Sequence, residues 1–169
     1  MANQLRPEDL ECPLSTALTY VGDWWTLLLL HDLFDGYGRF DQFQQNLGIS
    51  SSILTTRLKT LQQNGIVERR RYQSNPPRYE YVLTDLGVSL RPVIVALAAW
   101  GNARRKPEHR SMILVDRATG EEVEPVLVDR KSGRPVVGEE FVFTAGPSAG
   151  AAMRRRYLGD SSTEGPSES

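Results

Sequence analysis

Residues 40–84 read FDQFQQNLGISSSILTTRLKTLQQNGIVERRRYQSNPPRYEYVLT and decide the fold predicted for this chain. The stretch contains a short amphipathic segment that ends at Gly48, a second helical segment that begins after Ser50, and two extended segments rich in arginine. Serine is favoured just before the first turn of a helix, and glycine just after its end. Two short helices followed by a basic two-stranded wing are typical of a winged helix-turn-helix. In that arrangement one helix enters the DNA major groove and the wing contacts the flanking backbone.

The second helix of this pair is the predicted recognition helix, with Ser50 as its cap, Asn64 as its last residue and Gly65 beyond its end. Its predicted buried stripe consists of Leu54, Leu58 and Leu61. The opposite face carries short polar side chains, which allow a helix backbone to approach base edges closely. An ordinary solvated helix face is the alternative. The candidate DNA-contacting residues of this helix are Ser50, Ser51, Ser52, Thr55, Thr56 and Lys59.

The wing is predicted to consist of strands at residues 66–72 and 78–83, joined by a tip at residues 73–77 that contains two prolines. In residues 57–78, six basic side chains stand against a single acidic one, a net charge of +5. Such local charge neutralises DNA phosphates and matters more for affinity than the overall charge of -1. Solvated surface arginines, Arg70 above all, are the alternative. The candidate backbone or minor-groove contacts are Arg39, Arg69, Arg71, Asn75 and Arg78.

Three helices are predicted before the recognition helix and one long helix after the wing. The first three run from Pro13 to about Val21, from Trp24 to about Asp35 with Asp23 as its cap, and from Arg39 to Leu47. The second of them is apolar on most sides and should form the centre of the core. The long helix begins after Thr84, reaches about Arg105 and is expected to bend at Pro92. Its wide apolar stripe predicts contact with a partner subunit, or packing within the same domain.

The composition limits the chemistry available to the chain. Its single cysteine, Cys12, excludes an intramolecular disulfide and a multi-cysteine zinc site. The N-terminus lacks the basic-then-apolar order of a signal peptide, and the longest apolar run, residues 27–30, is too short to cross a bilayer. We therefore expect a soluble cytoplasmic protein without membrane contact. His31 and His109 have no nucleophile in an interpretable motif, so neither an enzyme nor a bound cofactor is expected.

The sequence changes character beyond Pro107, where LVDRATGEEV at 114–123 recurs as LVDRKSGRPV at 127–136. Each copy reads as strand, glycine-centred turn and strand, which predicts two short hairpins that form a small sheet. No cysteine lies in this region and His109 is its only histidine, so no metal is expected there. The predicted organisation is a DNA-binding and dimerisation domain over 1–106, a small β-rich appendage over 107–145 and a flexible tail over 146–169.

Several short motifs occur in an order that resembles the bacterial HxlR-type regulators. They are Cys12-Pro13, Gly22-Asp23-Trp24-Trp25, Arg39-Phe40, Ile49-Ser50, Leu54-Thr55, Pro76-Pro77-Arg78-Tyr79-Glu80-Tyr81-Val82-Leu83-Thr84 and Trp100-Gly101. The resemblance covers roughly residues 10–105, and the number and order of the motifs make it highly specific. HxlR-type regulators belong to the wider MarR-like group of winged-helix proteins.

The resemblance implies an α+β fold: a winged helix-turn-helix DNA-binding domain with terminal dimerisation helices, followed here by the small C-terminal β-hairpin appendage. It implies a transcriptional repressor or activator that acts as a homodimer on palindromic operators in double-stranded DNA. The first helix and the helix over 84–105 would form the dimer contact. Such a regulator works in the bacterial cytoplasm, associated with the nucleoid. The alternative is a winged-helix protein-interaction module without specific DNA readout, whose arginines bind an acidic partner.

Two means of control are predicted. Some members of the family sense oxidants through a cysteine before the first helix, and Cys12 occupies that place. A helix N-terminus favours the thiolate, whereas Glu8, Asp9 and Glu11 oppose it, and a small structural cysteine is the alternative. A small apolar or aromatic effector between the core and the long helix is the second hypothesis. Its candidate lining is Trp24, Trp25 and Trp100, which core packing explains equally well.

Overall fold

The computed structural model describes residues 11–159, which form two compact units. One unit is Tyr20–Val126, and the other consists of the described residues before Tyr20 and after Val126. Residues 107–126 therefore belong to the same unit as the winged helix. The acidic residues Glu8 and Asp9 lie outside the described residues, as does the predicted tail beyond residue 159.

The element order is that of a winged helix-turn-helix. The helices are α1 (Pro13–Val21), α2 (Trp24–Phe34), α3 (Phe40–Leu47), α4 (Ser51–Gln63), α5 (Asp85–Val88), α6 (Arg91–Ala103) and α7 (Ala151–Leu158), with a 3-10 turn at Pro107–His109. Strands β1 (Val67–Gln73) and β2 (Arg78–Leu83) form the wing between α4 and α5. The predicted α+β class and the winged helix-turn-helix are confirmed, and the bounds of the first four helices agree closely with the sequence prediction.

Side-chain caps determine where these helices begin. Asp23 Oδ1 accepts a hydrogen bond from the Trp25 amide at 3.1 Å, which caps α2. Ser50 Oγ accepts one from the Ile53 amide at 3.4 Å at the start of α4. Each cap satisfies an amide that the first turn of a helix leaves without an internal partner. Both predicted caps are confirmed.

The centre of the core is α2, as predicted. Leu29 and Leu30 of this helix are 0% exposed, and they pack with apolar side chains from α3, α4, β1 and α6. The other buried members of the cluster are Val21, Leu33, Phe43, Ile49, Leu54, Leu58, Leu61, Ile66, Val67 and Ile94. The leucine stripe of α4 therefore faces inward, and its burial leaves the opposite face of that helix open to a ligand.

The wing is an antiparallel hairpin in which Arg70 pairs with Glu80 and Arg71 pairs with Tyr79. A register shift follows between Arg71 and the end of β1. Because successive side chains of a strand alternate, Arg69 and Arg71 share one face of the hairpin and Arg70 lies on the other.

The long helix predicted after Thr84 is interrupted, which corrects the sequence-based expectation. The helix α5 ends at Val88, a turn follows, and Pro92 stands in the first turn of α6 instead of bending a continuous helix. A proline loses no hydrogen bond in the first turn of a helix, so it marks a beginning there. Thr84 caps the short α5 as expected, since its Oγ1 accepts the Gly87 amide at 3.1 Å.

The two sequence repeats fold into equivalent tight loops. In the first, the Asp116 amide donates to the Glu121 carbonyl at 2.9 Å, and in the second the Asp129 amide donates to the Arg134 carbonyl, also at 2.9 Å. Each loop holds one antiparallel bridge and no regular strand. The predicted small sheet is therefore absent from residues 11–159, because each hairpin arm is only a few residues long. The helix α7 forms inside the segment predicted to be a flexible tail.

Candidate nucleic-acid interface

The outward face of α4 is polar and exposed. Its exposed side chains opposite the buried leucines are Ser52, Thr55, Thr56 and Lys59. Two other predicted contact residues have structural partners, since Ser50 caps the helix and Ser51 Oγ accepts a hydrogen bond from Gln44 Nε2 at 2.9 Å. Gln44 belongs to α3, so α3 holds the first turn of α4 in position. The face predicted from helical spacing is the one that the fold exposes.

The threonine hydroxyls of this face direct their protons back to the helix. Thr55 Oγ1 donates to the Ser51 carbonyl at 2.7 Å, and Thr56 Oγ1 donates to the Ser52 carbonyl at 2.9 Å. Each oxygen keeps its acceptor capacity for another partner, and each side chain presents a methyl group. Acceptors suit the amino groups of adenine and cytosine, whereas a methyl group suits the methyl of thymine. These short side chains are chemically able to read base edges.

The wing arginines differ in how much of their charge is neutralised. Arg70 forms an ion pair with Glu80 at 2.8 Å, which fits a surface role for this residue. The Arg69 guanidinium lies over the Tyr79 ring, 3.7 Å from its centroid, and this contact orients the side chain while leaving its charge unpaired. Arg71 Nη2 donates to the Ser74 carbonyl at 2.6 Å, so Arg71 also supports the wing tip.

Unpaired positive charge remains around α4 and the wing. Within residues 11–159, no ion pair is formed by Arg39, Lys59, Arg69, Arg71 or Arg78. Arg39 lies beside the wing, with its guanidinium 4.4 Å from the centroid of the Tyr72 ring. Arg57, which the sequence counts in the basic stretch, instead lies 2.9 Å from Asp23 Oδ2 and ties α4 to the start of α2. The exposed Asn75 lies at the wing tip.

Sequence reasoning missed Ile53, an apolar residue in the first turn of α4. Its side chain is 38% exposed, although the helix has a buried stripe to which an isoleucine could contribute. An exposed aliphatic group beside Ser52 suits the methyl group of thymine. The signal in the sequence is its position, because Ile53 falls outside the spacing of the three buried leucines.

Cys12 lies immediately before α1 and is partly exposed. Hydrogen bonds from the Ser15 and Leu14 amides, and from the Ser15 side chain, lower the pKa of its thiol, and the charge of Arg156 acts in the same direction. Amides at a helix N-terminus favour the anion in this way. The pKa is therefore lowered even though the acidic Glu11 precedes Cys12 in the chain.

The predicted ligand-pocket tryptophans line neither of two cavities found among residues 11–159. Trp24 and Trp100 are 59% and 65% exposed, and the Trp24 and Trp25 rings stack with centroids 3.9 Å apart. A cavity of about 270 Å³ is lined instead by residues of α2, α6 and the segment 110–125. It gives the tryptophan hypothesis no support. In the described part of the chain, no cluster of three or more histidine, cysteine or carboxylate side chains is arranged to hold a metal ion.

The chain is similar to known regulators over most of its length. A family model described as HxlR-like helix-turn-helix matches residues 20–109. An uncharacterised HTH-type transcriptional regulator of Mycobacterium tuberculosis is 36% identical over 138 residues, which are 81% of this chain and 87% of the relative. A solved structure of PA1374 from Pseudomonas aeruginosa, named as a candidate transcription factor, is 39% identical with a TM-score of 0.62, covering 86% of this chain and 99% of that one. The redox regulator HypR in its oxidized form is 34% identical with a TM-score of 0.53, covering 56% of this chain and 99% of that one.

The matched residues include α2 to α6 and therefore the whole of α4, the predicted recognition helix, and the wing. The proteins to which the chain is similar are named as transcriptional regulators and not as enzymes. This agrees with the polar face of α4 and the unpaired cations of the wing. The protein is accordingly a transcriptional regulator with a helix-turn-helix domain, and the chain belongs to the HxlR-like helix-turn-helix family.

Proposed function

We propose that the protein binds an inverted-repeat operator as a homodimer and so represses or activates the adjacent genes. The observation that carries this proposal is the exposed polar face of α4, next to wing cations that have no carboxylate partner within residues 11–159. In this proposal α4 enters the major groove, while Arg69, Arg71 and Arg78 contact phosphates or the minor groove.

An exposed apolar row on α6 supports homodimerisation. Val93, Leu97 and Trp100 recur at helical spacing and are 46%, 46% and 65% exposed. Burying such a row is favourable, and a second copy of the same helix covers it in a two-fold arrangement. A two-fold dimer requires a palindromic operator whose half-sites lie about 34–36 Å apart, or a multiple of that distance.

The segment Asp85–Ala103 also has the length and the apolar composition of a membrane span. The turn between α5 and α6 and the charged Arg91 interrupt this segment. Subunit contact accounts for its apolar face without a bilayer. We infer that the protein acts in the bacterial cytoplasm on nucleoid DNA and stays out of the membrane.

The role of α4 is tested by fluorescence anisotropy with the promoter of the protein's own gene, in the presence of random competitor DNA. Thr56→Val keeps the side-chain shape and removes the acceptor oxygen, so it should alter preference at one operator position by about 1–3 kcal/mol. Thr60→Val is the matched control, because Thr60 makes the same type of hydrogen bond to the preceding turn at 3.1 Å and is half-buried. Its operator preference should equal that of the wild type.

The interaction-module alternative makes a different prediction for the same titration. A protein without specific readout binds the promoter no better than competitor DNA, and it selects no sequence from a random DNA pool. That result would contradict the proposed function.

Control by oxidation at Cys12 is the second part of the proposal. It is supported by the lowered pKa of the thiol and by the similarity to HypR, which is named a redox regulator. With one cysteine per chain, oxidation forms an intersubunit disulfide or a mixed disulfide with a small thiol. Diamide should change the operator affinity of the wild type and leave that of Cys12→Ser unchanged. An equal response of both proteins would remove Cys12 as the switch.

A further inference from the structure

The cavity of about 270 Å³ lies within the unit Tyr20–Val126, between the end of α2, one side of α6 and the first repeat loop. Its apolar lining includes Phe34, Ile94, Val95, Ala98, Ala99 and Met112. The volume corresponds to the liquid volume of roughly nine water molecules and lies near the lower end of ligand pockets. It is large enough for one substituted benzene ring and too small for a large cofactor.

Arg110 is the polar group of this wall that lacks a full set of partners. Its Nη1 lies 3.1 Å from Glu122 Oε1, but its buried Nε–H has no hydrogen-bond partner within the described residues. A buried donor without an acceptor is unfavourable. An oxygen atom on a ligand is the group that Arg110 lacks, because its guanidinium carries only donors.

The charged residues around the cavity provide no site for an anion. The ionisable lining residues besides His31 are Asp35, Arg91, Arg110, Glu122 and Glu124. Two cations and three carboxylates provide no excess of positive charge for an anion. The unpartnered Nε–H of Arg110 requires an acceptor, which a cationic ammonium group lacks. His31 Nε2 also lies 3.5 Å from Asp35 Oδ2, so this carboxylate already has a partner.

We propose that this cavity binds an uncharged, single-ring aromatic molecule that carries one hydrogen-bond-accepting oxygen, and that this molecule controls operator binding. The regulatory half of the proposal rests on the proposed function. The ring packs against the alanines and Phe34, and the oxygen accepts from Arg110. The class of ligand follows from the apolar wall, the volume and the unsatisfied donor.

The position of the cavity explains how a ligand bound there changes the affinity for DNA. One side of α6 lines the cavity, whereas Val93, Leu97 and Trp100 form its exposed row. The other wall belongs to α2, which packs directly against α4. A bound ring therefore changes the distance between α6, the helix of the proposed dimer contact, and α2, the helix that supports α4.

Binding is measured by fluorine NMR with 4′-fluoroacetophenone as the probe and the full chain as the receptor. The comparison compounds are 1-ethyl-4-fluorobenzene, which lacks the oxygen, and 4-fluorobenzoate, which is anionic. The ketone should bind most tightly. Ala98→Leu fills the cavity and should weaken the affinity for the ketone about tenfold or more. Ala96→Leu makes the same change on an exposed position of α6 outside the lining and should bind like the wild type.

A second variant tests the hydrogen bond without relying on the cavity-filling change. Arg110→Met combined with Glu122→Gln removes the donor and its ion-pair partner together. Its affinity for the ketone should fall to that for the ethyl compound. Tighter binding of the benzoate would overturn the uncharged class, and equal binding of ketone and ethyl compound by the wild type would overturn the role of Arg110. Ketone binding that Ala98→Leu leaves unchanged would overturn the site.

The regulatory half is measured by repeating the operator titration at a saturating concentration of the ketone. A shift in operator affinity for the wild type that Ala98→Leu lacks supports the effector role, and an unchanged affinity overturns it. Failure of the ligand-free protein to prefer any operator would instead contradict the proposed function, because the NMR result does not depend on DNA.

Discussion

Asp32 is a carboxylate in α2 that is only 5% exposed. Burial raises the pKa of this carboxyl from its ordinary value of 3.8, although the hydrogen bond from Asn46 Nδ2 to Oδ2 at 3.1 Å opposes the rise. In the folded state Asp32 therefore holds its proton to higher pH than in the unfolded state. The free energy of unfolding should fall as pH rises from the ordinary pKa through the raised one, because the buried group then ionises.

Asp32→Asn should remove this pH dependence and raise the Tm at neutral pH. The amide oxygen still accepts from Asn46, while the buried charge is gone. The measurement is the Tm of wild type and variant across the acidic and neutral range. Asp41→Asn, which changes an exposed carboxyl of α3, should retain the wild-type slope. An Asp32→Asn profile as steep as the wild-type profile would contradict the assignment.

Gly87 in α5 has no room for a side chain. A Cβ at this position would overlap the Ile66 carbonyl oxygen and lie 2.9 Å from Leu83 Cδ2. Gly87→Ala should therefore destabilise the fold by about 1–3 kcal/mol, as measured by urea denaturation. Gly101→Ala is the matched control, because nothing lies within 4 Å of a Cβ there and alanine should stabilise α6 by roughly 0.5–1 kcal/mol. Equal stability of both variants would refute the close contact.

At the scale of elements, the wing is expected to supply charge and not sequence preference. Arg69→Gln should weaken binding to all DNA sequences alike and reduce the salt dependence by about 0.9 per lost phosphate contact, twice that per dimer. The readout is the slope of log affinity against log salt concentration. Arg70→Gln combined with Glu80→Gln removes a neutral pair and should keep the wild-type slope. A change in operator preference for Arg69→Gln would place this arginine against base edges instead.

The elements also show where local sequence is sufficient. Asp23, Ser50 and Thr84 define helix starts through hydrogen bonds to amides two or three residues away, so their caps could be predicted. The structural role of Pro92 was harder to predict, because a proline is compatible both with a bend inside a helix and with the first turn of a helix. The choice depends on the turn after α5, in which the Leu90 amide donates a hydrogen bond to the Gly87 carbonyl at 3.1 Å.

At the scale of the whole molecule, the proposed dimer depends on the apolar row of α6. Leu97→Glu places a charge in the middle of that row and should convert the dimer to a monomer, because burying an unpaired charge is unfavourable. Size-exclusion chromatography with light scattering measures the mass. Gln45→Glu, an exposed position of α3, is the control and should remain dimeric. A dimeric Leu97→Glu protein would move the subunit contact to another surface.

Local patterns of residues account for the helices, the wing and the polar face of α4, because caps, helical spacing and strand alternation act over a few residues. Contacts between residues far apart in the chain decided the rest. They pair Arg57 with Asp23 and Arg70 with Glu80, and so separate structural arginines from those available to DNA. They also bring the end of α2, one side of α6 and the first repeat loop around a single cavity. No periodicity within one element predicts that cavity, because its shape depends on how three elements pack.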